Sequence, residues 1–279
     1  MIVIAGSQAP IHLTGVSDAG KHIFRQKERS RTIYQYVSVD QLKFELDLRT
    51  QLVQASWALN ASGVQFGKFE ESYCNPQYWK LTRRGGFQKH RTVSSAAAVR
   101  DIYSHGLLYR FECATAMVIV AYRAVLAVIG DAAFNRLFPQ MLIWDWHYEK
   151  ELRLVIERID GESYLGDILY FKNPDVHPRE MEWQGENVVK MGDDLYYGHG
   201  VGVTTAFDLI TELNNHRYPG SRRSAYMLNQ ATYPDFRQLY YVVNGRNELD
   251  KMRLNETAFR NSSEEMVSSV GSLTYIQSI

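Results

Sequence analysis

Cysteine is nearly absent: Cys74 and Cys113 are the only two in 279 residues, which excludes a disulfide framework. Net charge is absent too, with 31 basic against 31 acidic side chains, so no global field draws the chain to nucleic acid or membrane. The N-terminus lacks a basic n-region and a long apolar h-region, since Ile2, Val3 and Ile4 soon meet Gly6 and Pro10. No secretory leader is expected, and the cell interior is the expected compartment. The apolar stretch Met117 to Ile129 is broken by Arg123 and falls short of the ~20 residues a membrane span requires. Zinc spacings are missing: there is no H-E-x-x-H, no C-x-x-C, and no P-C-x-x-C to follow His147-Tyr148-Glu149. Gly63 to Lys68 is one residue short of a phosphate loop, and Phe69 stands where Ser or Thr belongs. No cofactor and no metal are expected.

What is present suits a soluble globular protein, 45% apolar and 22% charged. A local basic cluster, Arg25, Lys27, Arg29 and Arg31, reads as a solvated surface. Ser38, with Gln41 at the N3 position, caps a helix that Leu42, Leu46, Val53 and Trp57 continue to Gly63. A second helix is expected from about Ser95 to Tyr103. The third, from Phe111 to Gly130, is apolar around nearly its whole circumference, which predicts burial on most sides. Strands follow at Met141 to Trp144 and Tyr164 to Phe171. Then comes a hairpin, with arms Asn187 to Met191 and Leu195 to His199 about the turn Gly192-Asp193-Asp194. Helix returns from Thr205 to Asn214. Helices first and strands after predict an α+β fold, the third helix packed on an antiparallel sheet. Periodicity fades beyond Asn244, so residues 1–244 read as one domain and 245–279 as a marginal or disordered extension.

Chemistry gathers at Cys113, in the first turn of the apolar helix. Free N–H groups and the positive end of the helix dipole favour a thiolate there and offer donors to an oxyanion. Adjacent Glu112 works against the thiolate unless it faces away. A cysteine on an apolar helix is otherwise a small core hydrophobe, the reading that suits Cys74 before Asn75-Pro76. His199 is the histidine candidate for proton transfer, because Gly198, Gly200 and Gly202 permit close backbone approach. Its hairpin partner depends on the turn: a two-residue loop sets Glu186 opposite His199, a three-residue loop sets Asn187 there. Trp144, Trp146, Trp183, Tyr196 and Tyr197 read as core or sheet-face residues, several of them near the strand ends about this site.

A series of blocks, in order, resembles the small transglutaminases of spore-forming bacteria. They are Phe111-Glu112-Cys113-Ala114-Thr115-Ala116, Asp145-Trp146-His147-Tyr148-Glu149-Lys150, Tyr170-Phe171-Lys172-Asn173-Pro174, Trp183-Gln184-Gly185-Glu186-Asn187-Val188 and Gly198-His199-Gly200. The resemblance runs from about Ser38 to Tyr240, fading at Arg153 to Gly161 and after Asn244. It implies a papain-like core akin to cell-wall peptidases, activity without calcium, and crosslinking of spore-coat proteins through glutamine and lysine side chains. It further implies Cys113 as nucleophile, Glu186 in the acid–base role that histidine takes in papain-like enzymes, Glu112 as its partial substitute and His199 in support. Phe66, Trp146, Tyr170 and Trp183 are then expected to wall a narrow, dry site, with Asn187 also contacting substrate. Protein substrates, and neither nucleic acid nor membrane, are the expected partners. A thiol peptidase or amidase shares the first half-reaction, and an inactive structural coat protein is a third reading; both stand as alternatives.

Overall fold

The computed structural model describes residues 1–4, 11–159, 161–244, 265–270 and 273–278. It divides into two compact units, residues 1–50 with 234–279 and residues 51–233.

The first unit holds a helix that the sequence pattern did not announce, α1 (Asp18–Arg29), whose Ser17 cap accepts from Gly20 N at 3.0 Å. It turns Ile23, Phe24 and Lys27 inward, so one member of the basic cluster read as solvated is 1% exposed. Lys27 Nζ donates to Glu45 Oε1 at 2.6 Å and to Tyr36 Oη at 3.2 Å, and Arg49 Nε reaches the same Glu45 oxygen at 2.9 Å. Burial would raise the Glu45 pKa, but the two cations outweigh it and hold it down at about 2. Lys27 shares a helix face with Ile23, a placement that charge counting overlooks. Arg25, Arg29 and Arg31 are exposed as expected.

Helix α2 (Val39–Ala61) opens where the capping pattern predicts: Gln41 N donates to Ser38 Oγ at 3.2 Å, and Gln41 Oε1 accepts from Val37 N at 2.8 Å. The strand Ile2–Ile4 pairs in parallel with Tyr34–Tyr36, and the hairpin of Glu265–Val270 and Leu273–Ser278 extends that sheet. The rest of the expected C-terminal extension, residues 245–264, 271–272 and 279, lies outside the described residues.

The second unit carries α3 (Ser95–Ser104), α4 (Cys113–Leu137) and α5 (Ala206–Asn215). α4 is the predicted apolar helix, buried continuously from Ala114 to Tyr122. It breaks at Gly130, where φ is 74°, and a further segment runs on to Leu137. By length and composition α4 would also cross a membrane, yet most of its apolar stretch is buried inside the protein. The largest sheet runs Gly202–Thr204, Leu195–Gly198, Gly185–Gly192, Ile168–Lys172, Gln230–Pro234, Leu154–Arg158. α4 packs on its strand Gly185–Gly192, the helix-on-antiparallel-sheet arrangement expected of an α+β fold. Two short strands, Gln65–Phe66 and Arg110–Phe111, pair in parallel immediately before Cys113 and bring Phe66 beside the head of α4.

Candidate active site

Glu112 closes the N-terminus of α4. Its carboxylate accepts from Ala114 N at 2.5 Å and from Thr115 N at 2.7 Å. These are N–H groups that were expected to serve a thiolate or an oxyanion, and they are occupied. Cys113, first residue of the helix, is half-buried. Its thiol pKa is pushed strongly up, first by burial and then by the carboxyls of Glu186 and Glu112. The helix dipole therefore yields no standing thiolate, because the cap sets a carboxyl at the same end. Asn187 opposes this, its Nδ2 donating to the sulphur at 3.5 Å.

Glu186 and Asn187 belong to the strand Gly185–Gly192. Its hairpin pairs Val189 with Tyr197 and Val188 with Gly198, after a register shift between Lys190 and Gly192. Continued, that register sets Asn187 opposite His199 and Glu186 opposite Gly200, the longer-loop alternative. Glu186 is 4% exposed and accepts from Gly200 N at 3.0 Å, and a Cβ on Gly198 would stand 2.8 Å from its Oε1. The glycines about His199 thus make room for the glutamate. Burial raises the Glu186 pKa to about 7 against the pull of the Gly200 N–H, with Glu112 adding to the rise. A carboxyl there exchanges protons readily near neutral pH.

His199 turns its ring elsewhere. Nδ1 lies 3.1 Å from Tyr197 Oη, Nε2 lies 3.3 Å from the Gln65 carbonyl, and the ring stacks on Phe111 at 4.7 Å. A carbonyl only accepts, so Nε2 carries the proton and Nδ1 accepts from the tyrosine. Burial pulls the His199 pKa down to about 4, which leaves the ring neutral. Among the described residues its ring makes no hydrogen bond to the side chains of Cys113 or Glu186, although its backbone N–H, like that of Gly200, favours the ionised Glu186 carboxyl.

A cleft of about 750 Å³ opens at Cys113, lined by Phe66, Trp146, Tyr170 and Asn187 together with Glu112. Glu186 and His199 are not in its lining. Nor is Trp183, which lies flat on His216 with ring centroids 4.0 Å apart, while its neighbours Glu182 and Gln184 face the cleft. Sequence reasoning missed Lys68 and Glu182, both in the lining and paired at 2.7 Å, and Asp145 beside Trp146. Asp145 opens the block Asp145 to Lys150, and its left-handed backbone (φ 52°) is not visible in the local pattern. Among the described residues no group of three or more His, Cys, Asp or Glu is gathered to hold a metal ion.

Comparison with known proteins gives concordant findings. The family model for protein-glutamine gamma-glutamyltransferase matches residues 1–243. A protein-glutamine gamma-glutamyltransferase of Bacillus cereus (strain 03BB102) is 42% identical over 212 residues, 76% of each chain. One from Bacillus mycoides (strain KBAB4) is 41% identical over 210 residues, 75% of this chain and 76% of that one. Among solved structures, a transglutaminase from Geobacillus stearothermophilus, without its C-terminal extension, superposes with a TM-score of 0.68. It is 48% identical, and the match covers 71% of this chain and 95% of that one.

Proposed function

The chain belongs to the protein-glutamine gamma-glutamyltransferase family, enzymes of protein crosslinking, and we propose that it carries the acyl group as a thioester on Cys113. The observation that supports this is the buried Glu186 carboxyl, poised near neutral pH, acting on the sulphur that Asn187 contacts.

In the first half-reaction the Cys113 thiol passes its proton to ionised Glu186, and the sulphur attacks the γ-carboxamide carbon of a protein glutamine. Glu112 holds the N–H groups of Ala114 and Thr115, so the Cys113 N–H and the Asn187 amide are the donors left for the oxyanion. Collapse breaks the C–N bond, the proton on Glu186 leaves with the nitrogen as ammonia, and the thioester remains. In the second half-reaction a deprotonated lysine ε-amine attacks the thioester carbon and gives a proton to Glu186. The C–S bond breaks and the thiolate takes that proton back. Carboxamide and amine become isopeptide and ammonia, and the enzyme is restored. Glu112 stands in weakly as base when Glu186 is lost; neutral His199 braces the strand end through Tyr197 and Gln65.

Phe66, Trp146 and Tyr170 keep out water, the competing acceptor. A cysteine heading a buried helix on an antiparallel sheet suits a papain-like core. The resemblance to enzymes of spore formers favours spore-coat proteins as substrates, met inside the cell.

The test is incorporation of a fluorescent primary amine into a glutamine-containing protein, with a chelator present, by wild type and Cys113→Ala. Incorporation by wild type alone is expected. Cys113-dependent ammonia release without incorporation would instead indicate a thiol hydrolase. No reaction, and no labelling by an activated glutamine analogue, would indicate a structural coat protein.

A further inference from the structure

The cleft wall carries an acidic group that the acyl-transfer steps leave unused. Asp145 lies just after the strand Leu142–Ile143, and its backbone takes φ 52°, a conformation that Asp and Asn tolerate better than other side chains. Its N–H donates to Thr115 Oγ1 at 2.9 Å, in the first turn of α4, and Glu149 N donates to Tyr122 Oη of the same helix at 2.8 Å. The segment is thus pinned to the helix that bears the reactive sulphur, and Asp145 lines the cleft with Cys113.

The other carboxylates nearby are already engaged. Glu112 holds the helix N–H groups, Glu182 holds Lys68, and Glu186 accepts from Gly200 outside the lining. Glu70 is exposed to solvent. Asp145 is half-buried, and among the described residues its carboxylate has no hydrogen-bond or ion-pair partner. Its charge reaches Glu112, whose pKa is raised chiefly by burial and further by Asp145. A partly desolvated, unpaired carboxylate recovers solvation energy from a cationic ligand. The reaction supplies one, because a lysine ε-amine arrives protonated at neutral pH.

Resting on the crosslinking reading above, we propose that Asp145 receives the ε-ammonium of the acceptor lysine and so sets the preference for cationic primary amines over neutral nucleophiles. Asp145 takes no part in bond making; it draws the acceptor into the cleft and orients it before the ammonium gives one proton to solvent and attacks as the neutral amine.

Asp145→Asn keeps the left-handed turn and the Thr115 contact while removing the charge. Wild type and variant are compared with two acceptors: a cadaverine-linked fluorophore, cationic at neutral pH, and hydroxylamine, which is uncharged there. Both reactions are read as Cys113-dependent transfer to the same glutamine protein. The ratio of kcat/KM for the cadaverine probe to that for hydroxylamine is expected to fall about five-fold in the variant, the scale of one partly exposed ion pair. The loss should sit in KM for the cadaverine probe, and added salt should reproduce part of it in wild type. A merely structural role would depress both acceptors alike, so an unchanged ratio overturns the assignment and leaves the crosslinking reading standing. If wild type transfers to neither acceptor, the crosslinking reading fails and this assignment with it.

Discussion

The side-chain amide of Asn187 donates to the sulphur of Cys113 across 3.5 Å. It is a counterweight to burial and to the carboxyls of Glu186 and Glu112, all of which hold the thiol protonated. The donor therefore matters most while the sulphur gains charge during attack. Asn187→Ala is expected to lower kcat/KM about ten- to a hundred-fold, the scale of one hydrogen bond to a charged group. Asn187→Asp, which adds a third carboxyl, should do worse than alanine. Steady-state amine incorporation measures both, and wild-type rates in the alanine variant would remove Asn187 from the reaction.

Glu186, raised to about 7, gives the rate a pH dependence of definite sign. As acceptor of the thiol proton it must begin ionised, so kcat/KM should climb through about pH 7, and Glu186→Gln should lose both the climb and most of the activity. Stability moves the other way. The folded carboxyl keeps its proton above the unfolded value of 4.5, so its ionisation disfavours the fold as pH rises from 4.5 to about 7 and adds nothing further above that. Denaturant melts at about pH 5 and about pH 8 should show wild type losing stability relative to Glu186→Gln, since the rise that buried neutral His199 contributes between about pH 4 and 6.5 is common to both proteins.

Glu112 is both a helix cap and a charge, and mutation separates the two. Glu112→Gln keeps a capping oxygen but removes the charge, so the Cys113 pKa should fall and alkylation by iodoacetamide at neutral pH should quicken. Glu112→Ala also removes the cap and should cost about 1 kcal/mol of stability in thermal or denaturant melts. A glutamine variant that alkylates no faster than wild type would show that this charge is not what holds the thiol.

The parts legible in the sequence are those written in local pattern. The apolar girth of α4 and the Gly192-Asp193-Asp194 turn each announce an element, and Cys113 stands at a helix start. What escaped depends on partners far along the chain. Lys27 is buried because Glu45 meets it, and no charge count within α1 reveals that. Local pattern allows two registers opposite His199, and a shift between Lys190 and Gly192 decides between them. Trp183 is expected in the wall of the site, yet its ring lies on His216 and does not line the cleft. Gln65–Phe66 and Arg110–Phe111 are too short to show any alternation, although they bring Phe66 to the site.

Gly198 distinguishes whether the Gly198-His199-Gly200 sequence exists for the histidine or for the glutamate behind it. A Cβ at 198 would meet Glu186 Oε1 at 2.8 Å, its Cγ at 2.9 Å and Val201 Cγ2 at 2.9 Å. The glutamate, 4% exposed and tied to Gly200 N, has little room to retreat. Gly198→Ala is therefore expected to displace Glu186 and cut kcat/KM about a hundred-fold, as misplacement of a reacting group by about 1 Å can do. The climb in rate near pH 7 should disappear with it, while Cys113 remains open to alkylation, which separates a displaced glutamate from an unfolded protein. Full activity with the pH climb intact would mean that Glu186 does not need the space that Gly198 leaves, and the glycines would then owe their place to something other than the glutamate.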